Sequence, residues 1–178
     1  EIFGAFGWVE GTKTMKWLSD HMLVRGINFF IPHAFSAKEN DTDCPPIFYY
    51  RGKNPQYKYI GEISSYLERC SAVLSGGKHV ADCAILYDAE LKWMSKDTLG
   101  LEDVAKELYT RQLDYDIIPS DYLERAKVSE GKIMLNGESF NSLIVPYGRF
   151  MAKETEEKLI RLKNEGAEVI FVNALPEN

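Results

Sequence analysis

Apolar positions over residues 12–25 fall at Met15, Leu18 and Met22, with Trp17 and Val24 on a neighbouring stripe. This is the three-to-four spacing of a helix. The apolar arc is wide, as in a helix packed both on a sheet and against other helices, and Gly26 supplies a stop. Ile27-Asn28-Phe29-Phe30-Ile31 follows, β-branched and aromatic, which predicts a strand buried on both faces. Residues 37–54 lose the pattern. They carry Pro45-Pro46 and the acids Glu39, Asp41 and Asp43, and loops of this length are often functional. Asn54-Pro55 then opens a second helix, as N-cap and first helical residue. Ile60, Ile63, Leu67, Cys70 and Leu74 repeat along it as far as Gly76-Gly77.

Beyond these glycines the periodicity changes. Residues 80–87 (VADCAILY) read as a buried strand, and 101–112 form an amphipathic helix on Leu101, Val104, Ala105 and Leu108. Residues 115–118 predict a short strand and 121–126 a helical turn. Residues 132–135 and 138–140 flank Asn136-Gly137, the signal of a hairpin. A buried strand follows at 143–145. The helix over 154–165 carries Glu154, Glu156 and Glu157 early and Arg161 and Lys163 late, complementing its dipole, and a last strand covers 168–172. Alternation of strands and helices implies parallel βαβ units, and the boundary between two pieces falls near Gly76-Gly77.

Composition narrows the classes. The 178 residues are 45% hydrophobic and 27% charged, ordinary for a globular protein, with a formal net charge of −6. That charge argues against nucleic acid, whose phosphates demand clustered Lys and Arg. No apolar run reaches the ~18–20 residues of a membrane helix. Aromatics make up 12% of the chain, enough for a thick core or a sugar-binding surface. Cys44, Cys70 and Cys83 are widely spaced and odd in number, so neither a C-x-x-C metal site nor a disulfide framework is expected. The compartment stays open.

Glu1-Ile2-Phe3-Gly4-Ala5-Phe6-Gly7-Trp8 is a carboxylate followed by a Gly-spaced aromatic run. It reads as a loop leaving the C-terminal end of a barrel strand, where (β/α) barrels carry their active sites. The run EIFGAFGW…MKWLSDHMLVRGINFFIPHAFS…DCPPIFYYRGKNPQYKY resembles the last part of the catalytic barrel of large bacterial glycoside hydrolases. These include family 2 and family 42 β-galactosidase-like proteins and family 106 α-L-rhamnosidases. The run HVADCAILYDAE…DYDIIPSDYL…LIVPYG…ETEEKLIRLKNEGAEVIFV is similar to the flavodoxin-like domain after the barrel in family 42, which resembles class I glutamine amidotransferases without their chemistry. The resemblance implies an α/β chain in two parts. Residues 1–77 would be terminal βα units of a (β/α) barrel, and 78–178 a flavodoxin-like parallel-sheet domain.

Glycoside hydrolysis needs two carboxyl groups about the scissile bond. The resemblance puts Glu1 at the end of the seventh barrel strand, as nucleophile of a retaining enzyme or general base of an inverting one. Its bland reading is an ordinary terminal Glu. The partner acid would lie on a strand outside the chain, so the expectation is a fragment of a glycosidase, inactive in isolation. His33 follows the eighth strand, where an imidazole can hydrogen-bond a sugar hydroxyl or a carboxylate; a satisfied structural histidine is its bland reading. His21 and His79 rank below it. Trp8, Phe35 and Tyr50 are of the type that stacks on sugar faces, and equally of the type that packs. The acids Glu39, Asp41 and Asp43 lack the Gly and distal Glu of a calcium loop and read as a solvated loop. No cofactor is expected, although the resemblance allows calcium in the parent enzyme.

The expected partners are a carbohydrate substrate in the parent enzyme and a second copy of the chain through the α/β half, with neither nucleic acid nor membrane. Tyr87-Asp88-Ala89-Glu90 lacks the small residues that cradle a phosphate, and no G-x-G-x-x-G run occurs. No Cys follows a strand on a tight Gly turn, so an amidotransferase nucleophile is missing too. A non-catalytic flavodoxin-like interaction or oligomerisation module is the alternative. A small α/β ligand-binding protein is the third reading, with its pocket at the ends of the strands at 80–87 and 143–145.

Overall fold

The computed structural model describes residues 1–38 and 41–177; Glu39 of the acidic loop lies outside the described residues. The chain divides into two compact units, Glu1–Lys78 and His79–Asn178.

The first unit is built on two helices, α1 (Thr12–Leu23) and α2 (Ile60–Leu74). Met15 and Leu18 of α1 and Leu67 of α2 enclose a core with Ile2, Phe3 and Phe48, and Ile60, Ile63 and Met22 pack around it. Gly11, the N-cap of α1, has no side chain to offer the first helical N–H groups. Gln56 supplies the missing acceptor, its Oε1 taking the Thr12 N–H at 2.8 Å. Asn54 opens a turn rather than α2 itself: its Oδ1 accepts from Gln56 N, and a 3₁₀ turn at Tyr57–Tyr59 precedes α2. On the open side, Tyr66 donates to Asp20 Oδ1 at 2.5 Å, beside the Lys16–Asp20 ion pair at 2.7 Å.

The strand expected at 27–31 does not form. Its one sheet-like contact is an isolated parallel bridge between Ile2 and Pro32. Phe30 packs against the core, whereas Ile27, Phe29 and Ile31 are 46%, 79% and 59% exposed. Residues 27–29 are all exposed, so the in-and-out alternation of a strand is missing, and no second strand among the described residues pairs with the free edge. Burial on both faces needs such neighbours, so the apolar run stays half open.

The second unit is α/β. Strands β1 (Cys83–Tyr87), β2 (Tyr115–Pro119), β6 (Ser142–Val145) and β7 (Glu168–Phe171) make a parallel sheet in the order β2-β1-β6-β7. Taken in chain order, that is second-first-third-fourth, as in the flavodoxin-like doubly wound type. Alternate residues of β1 face opposite ways. Cys83 and Ile85 meet Val104 of α4 (Leu101–Thr110), while Ala84 and Leu86 meet Leu159 and Leu162 of α5 (Lys153–Asn164). Strands β3 (Lys127–Ser129), β4 (Lys132–Leu135) and β5 (Glu138–Phe140) form an antiparallel sheet, with Ile133, Leu135 and Phe140 joining the α5-side core. Asn136 and Gly137 both have positive φ (50° and 86°) in the β4–β5 turn, as a type I′ hairpin requires.

In sheets of this kind ligands bind where strand order reverses, at the carboxyl ends of the first and third strands. Here that crevice is filled. A short helix, α3 (Ala89–Met94), starts on Asp88, whose Oδ1 accepts from Leu91 N. Its Leu91 side chain lies over Gly148 so closely that a Cβ there would fall 2.2 Å from Leu91 Cδ1. The space left between Tyr87, Asp88, Leu91 and Pro146 is about 20 Å³, enough for one water. The reading as a small-molecule binding protein therefore loses its site. Gly148→Ala is expected to destabilise the chain by about 1–3 kcal/mol through overpacking, measurable by urea unfolding, with Leu91→Ala in the same chain relieving the clash.

His79, at the start of this unit, lies 2.9 Å from Asp114 Oδ2 and 3.2 Å from Asp116 Oδ1. The hydrogen bond to Asp114, aided by the charge of Asp116, raises its pKa from 6.5. Stability from this contact is complete below pH 6.5 and is lost as pH rises through the raised folded value. Exposure keeps the contribution small.

Candidate active site

Three irregular segments of the first unit are laced by backbone hydrogen bonds. Ile2 donates to Ile31 O at 3.0 Å and His33 to Ile2 O at 2.8 Å. Ala5 donates to Cys44 O and Gly7 to Pro45 O, while Ala34 donates to Pro46 O and Phe48 to Ala34 O. The buried side chains of Ile2 and Phe3 anchor the first segment from below. Phe3, Ala5 and Gly7 alternate at positive φ (77°, 67° and 83°). For Phe3 and Ala5 that backbone is costly, and such strain gathers at functional sites when the surroundings enforce it.

The lacing brings Glu1 and His33 to either side of Gly4. A Cβ built on Gly4 would lie 3.2 Å from Glu1 Oε1 and 3.2 Å from His33 Cβ. Glycine is what the spacing demands, because any side chain at this point would press on both groups. His33 Nε2 faces Asp43 Oδ2 at 3.9 Å, and its buried Nδ1 has no hydrogen-bond partner among the described residues. The Cys44 thiol, beside Asp43 and within the field of Glu1, is pushed above its ordinary pKa, so it is no thiolate nucleophile.

Trp8 lies elsewhere in this unit. Its ring meets Tyr50 at 5.1 Å, tilted by 59°, on the wall of an open cleft of about 440 Å³ with Asp41, Pro45, Lys53 and Pro55. Phe35 joins neither group. It stacks on Tyr49 at 5.1 Å and 9°, with Tyr57 at 6.3 Å. Of the four residues singled out from sequence, the fold thus brings Glu1 and His33 together, puts Trp8 in an adjoining cleft and places Phe35 in an aromatic stack.

Glu10 escaped the sequence reading. It is 4% exposed, both carboxyl oxygens are buried without a partner among the described residues, and burial pushes its pKa up to about 7. The one sequence signal was its position, two residues before a helix, where an apolar side chain commonly staples the first turn. That pKa suits a general acid, but oxygens closed off from solvent reach no substrate. Asp41 is held below the ordinary carboxylate range by the Ser36 hydroxyl and the Asp43 N–H. No group of three or more His, Cys, Asp or Glu side chains is placed to hold a metal among the described residues. No described helix is long and apolar enough to cross a membrane.

Residues 1–176 match the family model of glycoside hydrolase family 106, described as alpha-L-rhamnosidase. The chain belongs to that family. Among solved structures it is similar to the crystal structure of beta-galactosidase from Bifidobacterium adolescentis, at 17% identity and a TM-score of 0.36. The match covers 52% of this chain and 40% of that one. No curated protein matches the chain.

Proposed function

We propose that the chain supplies one half of a glycosidase active site, cleaving O-glycosidic bonds of L-rhamnose-containing oligo- or polysaccharides. Glu1 is the carboxylate that attacks the sugar or activates water, and His33 hydrogen-bonds either that carboxylate or a sugar hydroxyl. Trp8 offers a ring face to the substrate, while Phe35, stacked on Tyr49 away from both groups, is left out of the site. The observation that carries this reading is the convergence at Gly4, where a Cβ would lie 3.2 Å from both the Glu1 carboxylate and the His33 ring. Family membership supports the sugar class.

The chain alone is proposed to be inactive. A glycosidase also needs an accessible acid with a raised pKa. Among the described residues Glu10 has the pKa without the access. Asp43, whose carboxylate lies 3.9 Å from His33 Nε2, has access, its side chain being 76% exposed. We expect no hydrolysis of p-nitrophenyl α-L-rhamnoside by the chain, yet binding of L-rhamnose by calorimetry that Glu1→Gln and His33→Ala each weaken. Turnover by the chain that Asp43→Asn abolished would instead make Asp43 the missing acid. Unweakened L-rhamnose binding in both variants would remove Glu1 and His33 from the site.

The second reading, a non-catalytic interaction or oligomerisation module, is favoured by apolar side chains left open in each unit. Phe29 is 79% exposed in the first, and Trp93 and Met94 are 81% and 66% exposed in the second. Exposed clusters of this kind mark contact surfaces. A concentration-dependent mass by light scattering, together with no sugar binding, would favour it.

A further inference from the structure

The cleft beside Trp8 has a construction that the Glu1–His33 pair does not explain. Its two aromatic walls come from distant segments, Trp8 from the loop before α1 and Tyr50 from a left-handed turn in which Tyr50, Arg51 and Gly52 have φ of 42°, 51° and 75°. Both segments are tied to one short turn. Asn54 Nδ2 donates to Ile47 O at 3.0 Å and Asn54 Oδ1 accepts from Gln56 N at 2.9 Å, which fixes the Tyr50 side. Gln56 Nε2 donates to Glu10 O at 3.1 Å and Gln56 Oε1 accepts from Thr12 N at 2.8 Å, which fixes the Trp8 side. Asn54 is 8% exposed, and a buried amide with paired atoms holds its geometry tightly.

The cleft is thus a preformed space with an aromatic corner and a polar edge. Its volume of about 440 Å³ falls in the ~300–1,000 Å³ range of small-molecule clefts. Trp8 and Tyr50 offer apolar ring faces to the C–H face of a sugar. Asp41 and Thr42, which also line the cleft, offer a carboxylate acceptor and a hydroxyl to its polar rim. The position follows from the lacing. Cys44 feels the charge of Glu1, and the next residue, Pro45, lines the cleft.

We propose that the Trp8–Tyr50 cleft is a second sugar subsite, adjoining the Glu1–His33 pair, which holds the neighbouring residue of a rhamnosyl disaccharide, with Asn54 and Gln56 as its positioning residues. The proposal rests on the glycosidase reading. A chain carrying such a subsite prefers a disaccharide to L-rhamnose alone.

The test uses the chain's three Trp indole N–H signals in ¹H–¹⁵N spectra, with that of Trp8 assigned by its loss in Trp8→Phe. L-Rhamnose and rutinose, an α-L-rhamnosyl-glucose, are the probes. Rutinose is expected to shift the Trp8 signal and leave those of Trp17 and Trp93 in place. Trp8→Ala is expected to lower the ratio of rutinose to L-rhamnose affinity about tenfold, which is 1.4 kcal/mol. Trp8→Phe, which keeps a stacking face, should retain most of the ratio, and Gln56→Ala should lower it. General loss of structure would reduce both affinities and leave the ratio alone. An unmoved Trp8 signal, or an unchanged ratio in Trp8→Ala, overturns the subsite. If rutinose engages Trp8 while L-rhamnose binding is insensitive to Glu1→Gln, the subsite stands and the role of Glu1 fails. If neither sugar binds, both fail.

Discussion

Glu1→Gln, made in the glycosidase proposed above, is expected to lower kcat by about 10²–10⁴-fold, the usual weight of a positioned acid or base. KM should move far less. The amide keeps the shape and length of the side chain, so its packing against Gly4 is kept and binding should change little. It cannot attack an anomeric carbon or take a proton from water, and those are the two roles open to a carboxylate in this chemistry. A loss confined to kcat is the signature of an interaction made in the transition state. A rise in KM with kcat unchanged would make Glu1 a substrate contact and no more. Steady-state kinetics of the variant separate the two.

Glu10→Gln is expected to change the pH dependence of stability. The folded carboxyl titrates at about 7 against 4.5 for the ordinary group, and burial is the cause. Below pH 4.5 both folded and unfolded forms hold the proton, and the group has no effect. Between pH 4.5 and 7 the unfolded chain releases its proton while the folded chain keeps it, so stability falls as pH rises. At 1.36 kcal/mol per unit the loss is about 3 kcal/mol, complete above pH 7. The amide does not titrate. Urea unfolding at pH 5 and pH 8 should therefore show a drop in the wild-type chain that shrinks in Glu10→Gln. An equal drop in both would mean that Glu10 is solvated in the folded state.

Much of the second unit is legible in the chain. Its parallel strands are short, mainly apolar runs rich in β-branched residues, its longer helices keep their period, and Asn136-Gly137 names its own turn. Two pieces escape. The Glu130-Gly131 turn puts a glutamate at φ 53°, a conformation few sequences advertise, so β3 goes unseen. Helix α3 is six residues long with Trp93 and Met94 turned outward, which leaves no periodicity to read. In the first unit the helices are legible, whereas the strand that the pattern predicts at 27–31 does not form. An apolar run records what the chain can bury, and here the described neighbours pair with it at one end only.

The site follows the same division. Glu1 and His33 could be picked out one by one as chemistry-bearing residues at loop positions. That they share the space over Gly4 depends on backbone bonds linking the segments at 1–8, 31–36 and 44–48, which no local pattern encodes. The same holds for Tyr50 opposite Trp8, and for Glu10, whose burial is set by residues distant in sequence. Local pattern carries elements and residue types; cross-chain hydrogen bonding assembles them into a site.

A crystal of the chain soaked with L-rhamnose tests the central claim most directly. The account predicts sugar density over Gly4, with hydroxyl oxygens within hydrogen-bond distance of both the Glu1 carboxylate and the His33 ring. Sugar bound only at the carboxyl ends of β1 and β6, or a space over Gly4 left without sugar at saturating concentration, would contradict it.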